Sequence, residues 1–255
     1  MTGLIKKDMY CLKKNITEFL VVTTSVIVIA ILFIISARCG NVAKAVAEMK
    51  VENGLSEEAF YSFFKATIWL VLLIPVCYVS TIIECFKEDR KAGFFKYMVS
   101  LPLSNEKIVG SRYISCLLFF IVSVGSSLLA SLFVSLATDA YPFGELAGYV
   151  LMFAAVLLIY MSIVLFLLYF LGVEKADLIQ SAPFVILLMA AFVFIYKKWS
   201  AMGDVELDGF IVQLAGDASN FMTEKGGICF LIALGCMVFS FFGSYCVLKQ
   251  RKGNI

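Results

Sequence analysis

Six stretches of this chain are too long and too apolar to remain in water, at roughly 18–37, 65–86, 113–137, 146–172, 177–196 and 227–248. A helix crosses the hydrocarbon core of a bilayer with about 20 apolar residues, and each stretch meets that length. The third and fourth exceed it, which allows tilt or extension past the core. Pro75 in the second and Pro183 in the fifth predict kinks or local unwinding. Ten-residue segments of alternating polarity are missing, which argues against a β-barrel. Of the 255 residues, 62% are hydrophobic and 16% charged, against about 45–50% and about 25% for a soluble domain. Nothing between the stretches is long enough to bury a core of its own. The expected fold is an all-α membrane protein, a single transmembrane domain of six helices over 1–255.

Lysine and arginine set the orientation. With the N-terminus inside, the inner segments hold Lys6, Lys7, Lys13, Lys14, Lys87, Arg90, Lys91, Lys96, Lys107, Arg112, Lys175, Lys249, Arg251 and Lys252. The outer segments hold Arg38, Lys44, Lys50, Lys65, Lys197, Lys198 and Lys225, half as many. Both termini are therefore expected in the cytoplasm. Aromatic residues agree: Tyr61, Trp69, Tyr141, Tyr149, Tyr196 and Trp199 fall near the outer interface, and Tyr97, Tyr113 and Tyr245 near the inner one. Arg38 before Cys39 spoils a lipoprotein-like cleavage site, so the first span does not read as a cleaved signal.

Several chemistries are excluded. Histidine is absent, which removes the commonest general base and zinc ligand. Eight cysteines stand singly without a CxxC pair and read as small buried hydrophobes, not as metal ligands. Cys39 and Cys229 both fall on the outer side, so a pairing between them stays open. A net charge of +2 gives no reason to expect a nucleic-acid partner. No phosphate-binding G-x-x-x-x-G-K-[ST], nucleophile elbow or HExxH occurs, so no catalytic residues are assigned.

The segments between spans are more informative. In 4–16, Ile5, Met9, Leu12 and Ile16 recur at helical spacing, with Lys6, Lys7, Lys13 and Lys14 on the other side. That pattern predicts an interfacial helix over 1–17 whose lysines meet anionic lipid. Segment 87–112 is cytoplasmic and highly charged, yet carries Phe94, Phe95, Met98, Val99, Leu101 and Leu103. Pro102 stops one element and Ser104 suits the N-cap of the next, which predicts two short helices parallel to the membrane. Their apolar residues need a cover, either lipid and the chain's own helices or a separate cytoplasmic protein. Outside, 40–53 is helical in pattern, with Gly54 suited to its end and Ser56, Glu57 and Glu58 to the next start. Leu207, Phe210, Ile211, Leu214, Phe221 and Met222 form a stripe within 197–226, which predicts an outer helix lying on the bilayer.

No acid or base lies mid-span, where each would cost at least about 2.5–3.5 kcal/mol. Ion-coupled transport therefore has no visible engine. Instead Ser123, Ser127, Ser131 and Ser135 recur every fourth residue in the third span, and Ser240 and Ser244 lie in the sixth. Small residues at this spacing let helices approach closely; the same serines equally suit a weakly polar strip along a translocation path.

The basic N-terminal helix, the six spans and the loop Asp89-x3-Gly93-x3-Tyr97-x2-Ser100-Leu101-Pro102-Leu103-Ser104, running into Ile108-Val109 and Arg112-Tyr113, resemble the permeases of type-2 ATP-binding-cassette (ABC) exporters. In size and layout the chain is similar to the branch that includes the phenol-soluble modulin exporters of Gram-positive bacteria. The resemblance implies two permease chains, the second a copy of this one, working with two separate cytoplasmic ATPase chains. ATP and Mg would be bound by that ATPase partner, with no cofactor on this chain and no activity of its own. It implies a multi-pass protein of the bacterial cytoplasmic membrane with an amphipathic peptide cargo. Residues 1–17 would be the elbow helix. The loop with Asp89, Gly93, Phe94, Phe95, Tyr97, Met98, Leu101, Pro102, Ser104 and Lys107 would be the coupling helix seated in the ATPase. The short outer segment departs from relatives with large external domains. A membrane immunity or sensor protein for antimicrobial peptides is the competing reading.

Overall fold

A computed structural model describes residues 2–40, 73–77, 81–94, 104–137, 142–202 and 207–253, and no strand occurs among them. The described helices are α1 (Thr2–Cys11), α2 (Lys13–Arg38), α3 (Ile82–Lys91), α4 (Asn105–Ala137), α5 (Phe143–Leu171), α6 (Ala176–Met202) and α7 (Leu207–Gly253), with a 3-10 turn at Val173–Lys175. The outer helix expected over 40–53, the start at Ser56 and most of the second span lie outside the described residues.

Local chemistry explains where the helices begin and end. The Ser104 carbonyl accepts the N–H groups of Lys107 and Ile108 at 3.0 and 3.2 Å, so α4 starts where Pro102 and Ser104 predict. Glu106 in its first turn faces the positive end of the helix dipole. α5 follows Pro142, whose backbone is extended. At the end of α3 the chain passes through Ala92 to Gly93, at φ +64, a left-handed conformation that costs glycine little and other residues more.

Among the described residues, three helices are long and apolar enough to cross a bilayer: Asn105–Leu136, Phe143–Leu171 and Thr223–Gln250. They carry the expected third, fourth and sixth spans. The expected first span lies on α2, where Asn15–Ile29 is a shorter apolar helix, and the fifth lies on α6. Pro183 sits inside α6, which runs on as one helix from Ala176 to Met202.

Two expected elements merge into longer ones. Residues 105–112, expected as a separate surface helix, form the first two turns of α4, because no proline separates Asn105 from the apolar run and the helix tolerates Gly110. Residues 207–222, expected as a separate outer helix, are continuous with the last span in the 47-residue α7. Their helical spacing matches that of the span and no proline interrupts the join.

α5 and α7 form the principal packed pair. A side chain at Gly226 would place its Cβ 2.7 Å from the Gly148 carbonyl oxygen, so this crossing depends on glycine. Around it Leu158, Met161, Leu165, Ala233 and Met237 are buried in one core with residues of α3 and α4. Wide apolar faces remain exposed, as bilayer-facing helices require: Phe239 is 80% exposed and Leu136 74%. All eight cysteines, Cys39 and Cys229 included, are free thiols.

Candidate functional site

At the end of the bundle that carries the N-terminus, α1, α3 and the start of α4 meet around four charged groups. Asp8, Asp89 and Arg112 are each at least 96% buried, an exposure that charged residues show almost only when paired. Arg112 contacts both acids: its Nη1 lies 2.7 Å from an Asp8 oxygen and its Nη2 donates to Asp89. Lys7 Nζ donates to the other Asp89 oxygen at 2.5 Å. Ser115 Oγ donates to Asp8 at 3.2 Å, and the Cys85 thiol to the Asp8 carbonyl at 3.6 Å. Two cations and two anions balance, as the three buried charges require, and the partly exposed Lys7 is the member that reaches solvent.

Aromatic rings close the junction. Lys7 Nζ stands 3.7 Å from the centre of the Phe94 ring, and the Arg112 guanidinium lies 4.8 Å from that of Phe86. Phe86 meets Tyr169 of α5 edge-on at 6.0 Å. Burial, reinforced by the Arg112 charge and opposed by Asp8, lowers Lys7 to about 8. Burial likewise raises the Asp8 carboxyl, against the pull of Arg112, Lys7 and the Ser115 hydrogen bond.

The opposite side of α3 is pinned to the turn between α5 and α6. Arg90 donates to the Glu174 carbonyl at 3.1 Å and to Asp177 at 3.4 Å, and Lys87 reaches Asp177 at 3.3 Å. Lys87 also bonds Glu84 at 2.9 Å, and these acids raise its pKa. Asp89 and Arg90 thus tie one short helix to two different neighbours. Phe94 leaves this platform at the edge of the loop that resembles a coupling helix.

The sequence profile of ABC-2 family transporter proteins matches residues 59–249, about three quarters of the chain. This chain belongs to the ABC-2 transporter family. No curated protein and no solved structure gives a match. An ABC-2 permease is a membrane-embedded subunit that works with an ABC ATPase, so the buried junction sits in a transport protein.

Within this ABC-2 permease the residues of the expected coupling loop divide. Asp89 is buried and paired inside the chain, so its charge positions the loop and does not face solvent. Gly93 is exposed, Phe94 is half-buried beneath Lys7, and Ser104 and Lys107 are exposed at the start of α4. Phe95, Tyr97, Met98, Leu101 and Pro102 lie outside the described residues. Of the expected membrane-surface lysines, Lys6 and Lys13 are exposed, Lys7 turns inward to Asp89, and the Lys14 side chain lies outside the described ones.

The serines are placed clearly. Ser123, Ser127 and Ser131 are buried within this one chain and Ser135 is half-buried. Ser123 donates to the Phe119 carbonyl and Ser131 to that of Ser127, each at 2.8 Å. Ser240 and Ser244 meet the Tyr113 hydroxyl at 2.6 and 2.9 Å, and Ser240 donates onward to the Ser162 carbonyl at 2.6 Å. This chain of hydroxyls joins α4, α7 and α5.

Sequence reasoning did not find Asp8, nor Arg112 as the charge that binds the two acids. Asp8 was visible as the single acid among the first seventeen residues. Its partner lies 104 residues further on, beyond the reach of any local pattern.

Proposed function

We propose that this permease, paired with a copy of itself and with two separate cytoplasmic ABC ATPase chains, exports amphipathic peptides or similar hydrophobic cargo. ATP and Mg bind the ATPase chains. The chain crosses the bacterial plasma membrane six times with both ends inside, and the junction end of the bundle faces the cytoplasm. Residues 95–103 and the exposed start of α4 form the surface that docks on the ATPase. Closure of the ATPase pushes this surface, and the junction passes the push to α1 and α4 together.

The observation that carries this reading is the ionic junction at the root of the loop in a chain of this family. A force applied at Phe94 meets a platform bonded to α1 on one side and to the α5–α6 turn on the other. The resemblance to modulin exporters supports the peptide cargo, and 24 Phe and 10 Met provide adaptable apolar contact.

Two measurements test it. Replacing 95–103 with a glycine–serine linker is expected to leave a folded membrane protein that no longer co-purifies with its ATPase; recovery at the normal yield would refute the docking role. Inverted vesicles holding permease and ATPase are expected to accumulate an amphipathic helical peptide only with ATP. Binding without ATP-driven accumulation would favour an immunity or sensor protein.

A further inference from the structure

Between α4 and α7, next to the junction, lies a groove of about 460 Å³. Gly110, Ile114 and Leu117 line it from α4, and Val238, Phe241 and Phe242 from α7. Ile114, Val238 and Phe242 are 37–58% exposed, so the groove opens sideways on the surface that meets lipid. The hydroxyl of Tyr113, which also borders it, is engaged by Ser240 and Ser244, so the ring offers only its apolar surface.

Charge is confined to one end. Glu106 and Lys107 form the mouth in the first turn of α4. The Tyr113 contacts put residue 113 level with about 242, and Phe120 stacked on Phe230 at 6.0 Å puts the next level earlier on α7, so the two helices run antiparallel. Lys249 therefore stands at the height of Lys107, continuing the stripe Val238, Phe242, Tyr245 at helical steps. Both lysines are exposed, and neither makes an ion pair among the described residues.

The dimensions narrow the occupant. From Glu106 to Leu117 the helix rises about 16 Å at 1.5 Å per residue. One lipid tail spans half of the roughly 30 Å hydrocarbon core, and with a thickness of about 5 Å fills on the order of 300–400 Å³. An α-helix, about 10–12 Å across with its side chains, needs on the order of 1,200 Å³ over the same length. An extended peptide would bring amides into a wall with no free partner for them. We infer that this groove holds one tail of an anionic phospholipid, with its phosphate held at the mouth between Lys107 and Lys249. Its occupancy requires neither ATP nor the ATPase.

The test uses the purified full-length permease, equilibrated with mixed phosphatidylglycerol and phosphatidylcholine and analysed by native mass spectrometry. One retained phosphatidylglycerol per chain is expected, with a preference over phosphatidylcholine on the order of tenfold from two lysines near a lipid phosphate. Val238→Trp, which fills the groove from an exposed position, is expected to abolish retention, while Val238→Ala keeps it. Lys107→Gln with Lys249→Gln is expected to keep a lipid and lose the preference. Unchanged retention in Val238→Trp, equal retention of the two lipids by the parent chain, or displacement of the lipid by a second copy or a helical peptide would overturn the assignment.

Discussion

Arg112 is the residue on which the junction depends most, because it approaches both buried acids closely, whereas Lys7 holds Asp89 at 2.5 Å and reaches Asp8 only at 4.0 Å. Arg112→Met leaves Asp8 and Asp89 buried with one cation between them, and is expected to cost about 3–5 kcal/mol of stability. Combining it with Asp8→Asn and Asp89→Asn should restore much of the loss. Unfolding midpoints in mixed micelles measure both effects. A stable single variant would show that Arg112 is dispensable. Lys7 gives a pH signature. Its pKa falls from 10.5 to about 8 on folding, so between these values the unfolded chain holds more protons than the folded one. Stability is therefore expected to rise from pH 8 to pH 10.5 in the parent relative to Lys7→Met. A difference that stays flat across that window would contradict the burial of Lys7.

The elements show where local pattern suffices and where it fails. The start of α4 was legible because Pro102 and Ser104 act on their immediate neighbours. The merging of 105–112 with the third span and of 207–222 with the sixth was not legible, since polarity marks the edge of the membrane and not the end of a helix. The serine pattern was legible as small residues, but the use of Ser240 and Ser244 to hold Tyr113 requires knowing which helices meet. The α5–α7 crossing is similar, for Gly226 looks like any glycine until Gly148 lies against it. Gly226→Val is expected to force these helices apart at a cost of about 1–3 kcal/mol, read as a lowered unfolding midpoint. An unchanged midpoint would mean that the crossing is loose.

For the whole molecule, composition and apolar runs were enough to reveal a helical membrane protein, and the loop resemblance anticipated the ABC-2 family. The junction was beyond reach because Lys7, Asp89 and Arg112 are separated by 82 and 23 residues, and their charges alone resemble those of a solvated surface. The structure brings α1, α3 and the α5–α6 turn together at one end of the bundle, the end at which the ATPase is proposed to dock. A single cysteine at Lys96 in a cysteine-free chain tests this most directly, probed with a membrane-impermeant thiol reagent. No labelling is expected in intact cells, rapid labelling in inside-out vesicles, and protection once the ATPase is bound. Labelling in intact cells would contradict it.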